Sequence, residues 1–141
     1  MLEDASHKGV QAFVKDLNHL YTSEKALWDI NEGYDNFEWI DCENAAQKVL
    51  SFVRKGAKDS EDLIAIVNFS DVDYEKYRVG VPYRAAYLEV LNSDDVKYGG
   101  NTNPSNDFYV TKKKSLHNQN FAMNIKLPSF GAIIFRRVKN V

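Results

Sequence analysis

Two adjacent carboxylates, Asp94 and Asp95, are the obvious candidates for acid–base chemistry in this chain of 141 residues. Cleaving a glycosidic bond with such a pair requires both carboxyls to flank one groove. Adjacent residues of extended backbone point to opposite sides, and "NSDD" (92–95) is ordinary turn composition, so no catalytic role is expected of them. Cys42 is the only cysteine and lies between Asp41 and Glu43. Neighbouring negative charge works against the thiolate that a nucleophile requires. His7, His19 and His117 are far apart, with no second ligand at metal spacing. No nucleophile elbow, Walker loop, dinucleotide fingerprint or calcium loop is present, and Gly99-Gly100 lacks the following helix that cradles phosphate. The expectation is therefore no catalytic residue, no metal and no cofactor.

Rings are the other residues with something to offer. Trp28, Tyr34, Phe37 and Trp39 are interleaved with acids, and Tyr98 sits beside the glycine pair. Aromatic faces can stack on sugars, which makes Trp28, Tyr34, Trp39 and Tyr98 candidate platforms for carbohydrate. The competing reading is that these rings close one end of a core. On that reading Trp39, two residues after Phe37, faces the interior with it.

The elements that would position these residues are legible from periodicity. Val10, Phe13, Val14, Leu17, Leu20 and Tyr21 make one apolar helical stripe, with Ser6 as the N-cap candidate. A helix of this length is marginal alone, so the stripe demands a partner surface. Residues 22–46 read as irregular. From there the period becomes two. Strands are expected at 48–55, 63–69, 77–81, 87–92, 108–111, 121–127 and 132–135. Leu63–Phe69 is almost continuously apolar, the mark of a central strand with Ile66 in the core. The fold class is mainly β: an antiparallel, Greek-key-like sandwich of about seven or eight strands behind one N-terminal amphipathic helix. The organisation divides into residues 1–46, helix plus connector, and 47–141, the all-β domain.

Composition narrows the function classes. With 44% hydrophobic and 13% aromatic residues, the chain should fold around a real core. Its net charge of −2 calls for neither nucleic acid nor membrane. Charge is uneven, however: residues 1–75 carry 16 acids and 7 bases, residues 76–141 carry 4 acids and 11 bases. The bases are scattered singly along strands apart from Lys112-Lys113-Lys114, which argues against one basic binding face. A single cysteine and the polar stretch directly after Met1–Asp4 suggest a reducing, cytoplasmic setting without a secretory leader. On that basis the Asn68-Phe69-Ser70 sequon is read as a chance match.

An ordered series of segments carries a resemblance. "HKGVQAFVKDLNHLY" (7–21), "ALWDIN" (26–31), "FEWIDCEN" (37–44), "VLSFVRK" (49–55), "IAIVNFS" (64–70), "YRVGVP" (77–82), "YLEVLNSDDVKYGG" (87–100) and "IKLPSFGAIIF" (125–135) follow one another with family-like gaps. The chain resembles, nearly end to end, the C-terminal part of the glycogen (1,4-α-glucan) branching enzymes of the α-amylase superfamily. That family's loop usually begins Asn-Thr-Asp where this chain has Asn92-Ser93-Asp94, and nothing carries over to 101–107. The resemblance implies a parent enzyme that transfers α-1,4 glucan segments onto α-1,6 branch points through an Asp/Glu/Asp set held in an upstream barrel. None of that set maps here. It further implies that residues 7–21 form the last barrel helix, docking through Val10, Phe13, Val14 and Leu17. The partners implied are the parent's own barrel and its α-glucan substrate. Without the barrel, self-association through the first helix is expected, covering Phe13 and Leu17. Two other roles stay open: an accessory α-glucan-binding module, and the equivalent domain of a related α-amylase-superfamily enzyme.

Overall fold

The computed structural model describes residues 4–28, 37–56, 62–103, 108–117 and 119–140. Helix α1 (Ala5–Ser23) is followed directly by the single turn α2 (Lys25–Trp28). The N-cap is Asp4 and not Ser6. The Asp4 carboxylate accepts the Ser6 amide at 2.8 Å and the Ser6 hydroxyl at 2.6 Å. A charged acceptor at a helix start meets both an orphan amide and the positive end of the helix dipole, which a hydroxyl cannot match.

Nine antiparallel strands follow among the described residues: β1 (Phe37–Asn44), β2 (Val49–Arg54), β3 (Leu63–Asn68), β4 (Tyr74–Val81), β5 (Ala85–Asn92), β6 (Phe108–Val110), β7 (Lys112–Leu116), β8 (Gln119–Leu127) and β9 (Ala132–Asn140). They form a six-stranded sheet in the order β1-β2-β3-β9-β5-β6 and a three-stranded sheet in the order β4-β8-β7. The sandwich expected from the sequence is present, with two strands more than its periodicity showed. β1 lies in the stretch read as irregular. Two register shifts, at 39/41 and 41/44, break its alternation, and of its rings none is fully buried. β7 is the lysine-rich edge of the small sheet, exposed from Lys112 to Ser115, so it has no apolar period to detect.

Pairing puts whole rows on one face, because side chains directly opposite across a ladder share a side. Val53, Ile64 and Phe135 form one inward row, and Ile66 and Ile133 lie in the next. Tyr77, Val79, Val81, Met123, Ile125 and Leu127 of the small sheet meet them, and all are buried. β3 is central, between β2 and β9, with Ile66 in the core as expected; Phe69 lies past its end and is exposed.

The other face of the large sheet is also apolar. Trp39, Phe52, Ala65, Ile134 and Leu91 pair in succession across β1, β2, β3, β9 and β5. A neighbouring row runs Phe37, Arg54, Leu63, Arg136 and Leu88. The helices bind this second row. Arg54 donates to the carbonyls of Ala26 and Leu27, each at 3.3 Å, and Arg136 reaches the Glu24 carboxylate at 3.0 Å. Leu20, Ala26 and Leu63 are all buried. No helix among the described residues is long and apolar enough to cross a membrane.

Candidate functional site

α1 meets its own domain at the loop after β5. That loop is built by its own carboxylates. Asp94 accepts the Thr102 hydroxyl at 2.6 Å, and Asp95 caps the short 3-10 turn Val96–Tyr98 by accepting the Lys97 amide at 2.9 Å. Asp95 is buried and Asp94 half-buried. Both are committed to shaping the loop. Gly99, at φ 89°, ends the turn in a conformation that suits glycine.

The turn presents Tyr98 to α1. Its hydroxyl donates to Asp16 at 2.5 Å, and its ring meets Phe13 edge to face at 5.3 Å. Lys97 adds a 3.4 Å ion pair to Asp16 and lies 5.0 Å above the Tyr98 ring. Gly9 completes the contact: a Cβ there would stand 2.2 Å from the Tyr98 carbonyl oxygen, so only glycine permits this approach. Burial and then the Asp16 bond push the Tyr98 phenol up to about 12. The Tyr98 hydroxyl, with help from Lys97, holds the Asp16 carboxyl below the ordinary carboxylate range.

The helical stripe is therefore split. Phe13 and Leu17 are half-buried and Leu20 buried, whereas Val10 and Val14 remain 62% and 46% exposed. α1 lies against its own domain, because the hydrogen-bonded Tyr98 and the side-chain-free Gly9 let the two backbones close. Val10 and Val14 lie outside that contact.

Among the described residues, the candidate sugar-facing rings Trp28, Trp39 and Tyr98 do not converge. Tyr98 is engaged by α1. Trp28 is exposed, with its indole N–H donating to the Thr22 carbonyl at 3.2 Å. Tyr34 lies outside the described residues. Trp39 is 48% exposed, so the expectation that it is buried with Phe37 is corrected. It pairs with Phe52 in the outer row, packs edge to face on Phe37 at 5.0 Å and faces Phe52 at 5.9 Å. Ile40, one residue on, takes the inward position, and strand alternation sends Trp39 out.

Several residues that hold this arrangement were missed in the sequence: Gly9, Asp16, Glu24, Arg54 and Arg136. Each reads locally as ordinary helix or strand polarity, and its role comes from partners up to 112 residues away. His117 is similar. It accepts the Gly80 amide at 3.1 Å on Nδ1 and places Nε2 3.2 Å from Asp41, tying the β7–β8 turn to β1.

Comparison with known proteins places this geometry. Residues 39–138 match the family model described as the alpha amylase, C-terminal all-beta domain. The 1,4-alpha-glucan branching enzyme GlgB of Bacillus cytotoxicus is 39% identical over 133 residues, covering 94% of this chain and 21% of that protein. Its counterpart from Prochlorococcus marinus is 38% identical over 136 residues, covering 96% and 18% respectively. That from Desulfitobacterium hafniense is 37% identical over 138 residues, covering 96% and 22%. The chain spans about a fifth of the length of these curated relatives. The family match extends from β1 into β9, across both sheets, and the chain belongs to the alpha amylase C-terminal all-beta domain family.

Proposed function

We propose that this chain is a non-catalytic C-terminal module of a 1,4-α-glucan branching enzyme, serving to brace the catalytic domain that precedes it. The observation that carries this reading is the apolar outer row Trp39, Phe52, Ala65, Ile134 and Leu91, beside a helix that leaves Val10 and Val14 in water. An apolar face left partly open, as here at Trp39, Phe52 and Ile134, marks an interaction surface. Matches that cover about a fifth of each relative support the rest of a longer polypeptide as its occupant. Residues 1–46 then act as the tail of the catalytic domain plus connector, and residues 47–141 as the brace, in a cytoplasmic enzyme.

The test has two arms. The chain alone, incubated with amylose, is expected to produce no branches and no new reducing ends by iodine and reducing-end assays. Turnover that disappears on Asp94→Ala or Asp95→Ala would overturn the non-catalytic reading. In the second arm, the Bacillus cytotoxicus relative lacking its matching segment is mixed with the chain and followed by sedimentation. Complex formation weakened by Val14→Asp is expected, and failure to associate would count against the bracing role.

A second reading has its own observation. Trp39, with Phe37 edge-on beside it, offers an exposed ring at the edge of the large sheet, suited to stacking on a glucan. Accessory α-glucan binding there would give a saturable change in tryptophan fluorescence with maltoheptaose, abolished by Trp39→Ala. An unchanged spectrum would remove this reading and leave the brace alone.

A further inference from the structure

The bases that lie scattered along the second half of the sequence are gathered by the small sheet. Arg78 of β4 pairs with Asn124 of β8, and Lys112 of β7 pairs with Ala122 of β8. Positions two apart share a face, so Arg78, Asn124, Ala122 and Lys112 look out from the same side. With Lys114 they line an open pocket of about 430 Å³, and Phe108 and Val110 of β6 form its apolar wall. That wall is exposed, at 55% for Phe108 and 53% for Val110. Lys126 continues the basic face along β8, with Glu75 4.0 Å away. Among the described residues no carboxylate forms an ion pair with Arg78, Lys112 or Lys114. The Arg78 Nε donates weakly to Asn124 Oδ1 at 3.4 Å, leaving the terminal guanidinium nitrogens for another acceptor.

We propose that this pocket binds a phosphate-bearing small molecule, with the phosphate between Arg78, Lys112 and Lys114 and a ring-sized body against Phe108 and Val110. A planar guanidinium with two ammonium groups provides the several charged donors that a phosphate dianion needs. The volume falls within the range of small-ligand sites, roughly 300–1,000 Å³. Lysine on an exposed edge strand also discourages strand addition, which accounts for Lys112 and Lys114 on β7. It does not account for the convergence of Arg78, from the other edge strand β4, with Lys112 and Lys114 around one space, nor for the exposed ring of Phe108 that lines it. The site is separate from the α1 and Trp39 surfaces and does not depend on the role proposed for them.

The experiment is a titration of the chain with α-D-glucose 1-phosphate, with adenosine monophosphate and with inorganic phosphate at constant ionic strength, followed by backbone amide NMR shifts. Saturable shifts are expected at Arg78, Val110, Lys112, Lys114 and Asn124, with at least one ring-bearing probe binding more tightly than inorganic phosphate. Arg78→Ala and Lys112→Ala should each weaken binding about tenfold, the effect of losing one charge-assisted hydrogen bond. The exposed Lys48→Ala should leave it unchanged, and thermal melting should show all three variants folded. Absence of saturation with every probe overturns the proposal, as does saturation that Arg78→Ala does not weaken. Equal affinity for inorganic phosphate and both ring-bearing probes overturns the place given to Phe108 and Val110.

Discussion

Asn68 shows how a residue's meaning changes once its neighbours are known. In the sequence it heads a glycosylation sequon. In the fold it is 1% exposed and its amide donates to the carbonyls of Val72 and Pro128, at 2.9 and 3.0 Å. Its oxygen accepts the Ser70 amide at 2.9 Å and the Ser70 hydroxyl at 2.7 Å. Asn68→Ala should destabilise the chain by about 1–3 kcal/mol, the range for stranding buried polar partners, as read from urea midpoints. A change within error would mean the turn after β3 holds without it. Asp16 makes a pH-dependent prediction. Its carboxyl is held below the ordinary range by the Tyr98 hydroxyl and Lys97. A depressed carboxylate stabilises the fold above its unfolded pKa, and that contribution disappears as pH falls through the lowered folded value. Tyr98→Phe should therefore cost about 1 kcal/mol near pH 7, discounted for the exposure of Asp16, and less near pH 2. Paired urea melts at the two pH values would show the gap closing; an equal gap at both would mean the ring contact with Phe13 carries the effect.

At the level of elements, α1 and β3 represent opposite cases. β3 is placed by its own composition: a run of apolar side chains is driven to a central position regardless of detail. Ile66→Ala should cost about 2–5 kcal/mol in a urea melt, and a negligible loss would mean the strand is peripheral. α1 is placed by a few specific contacts. Gly9→Ala on a free helix would be stabilising by about 1 kcal/mol through propensity alone. Here the added Cβ would meet the Tyr98 carbonyl oxygen at 2.2 Å, so the helix must move off the loop. Amide hydrogen exchange should show α1 losing protection while β3 and β9 keep theirs. A more protected helix in the variant would show that the backbone contact with Tyr98 is not tight.

For the whole molecule the consequence is an unequal pair of surfaces. The inner faces of both sheets are closed on one another, while the outer face of the large sheet is apolar and only partly covered by α1 and α2. As an isolated chain it should self-associate through Val10, Val14 and this face, since a two-fold contact covers the same patch on both copies. Sedimentation at several concentrations should show association that Val10→Glu with Val14→Glu removes without loss of cooperative melting. A monomer at every concentration would refute it. Phe13 and Leu17 are poorer probes, because both are half-buried in the fold of one chain and charge there would disturb α1 itself.

How much was legible follows from how local each cause is. The stripe from Val10 to Tyr21, the run at β3 and the alternation from Phe121 to Leu127 are written in neighbouring residues, because helical and strand periods are set by backbone geometry over a few positions. Those were enough for the mainly β class, the leading helix and the central strand. β1 and β7 were not legible: one has its alternation broken by two register shifts, and the other is an exposed edge with no buried face to alternate with. The face on which Trp39 lies, the docking of α1 on Tyr98 and the gathering of Arg78 with Lys112 depend on which strand pairs with which, and in what register. A shift of one residue in register turns every side chain to the opposite face, so these placements are decided only when the sheets assemble.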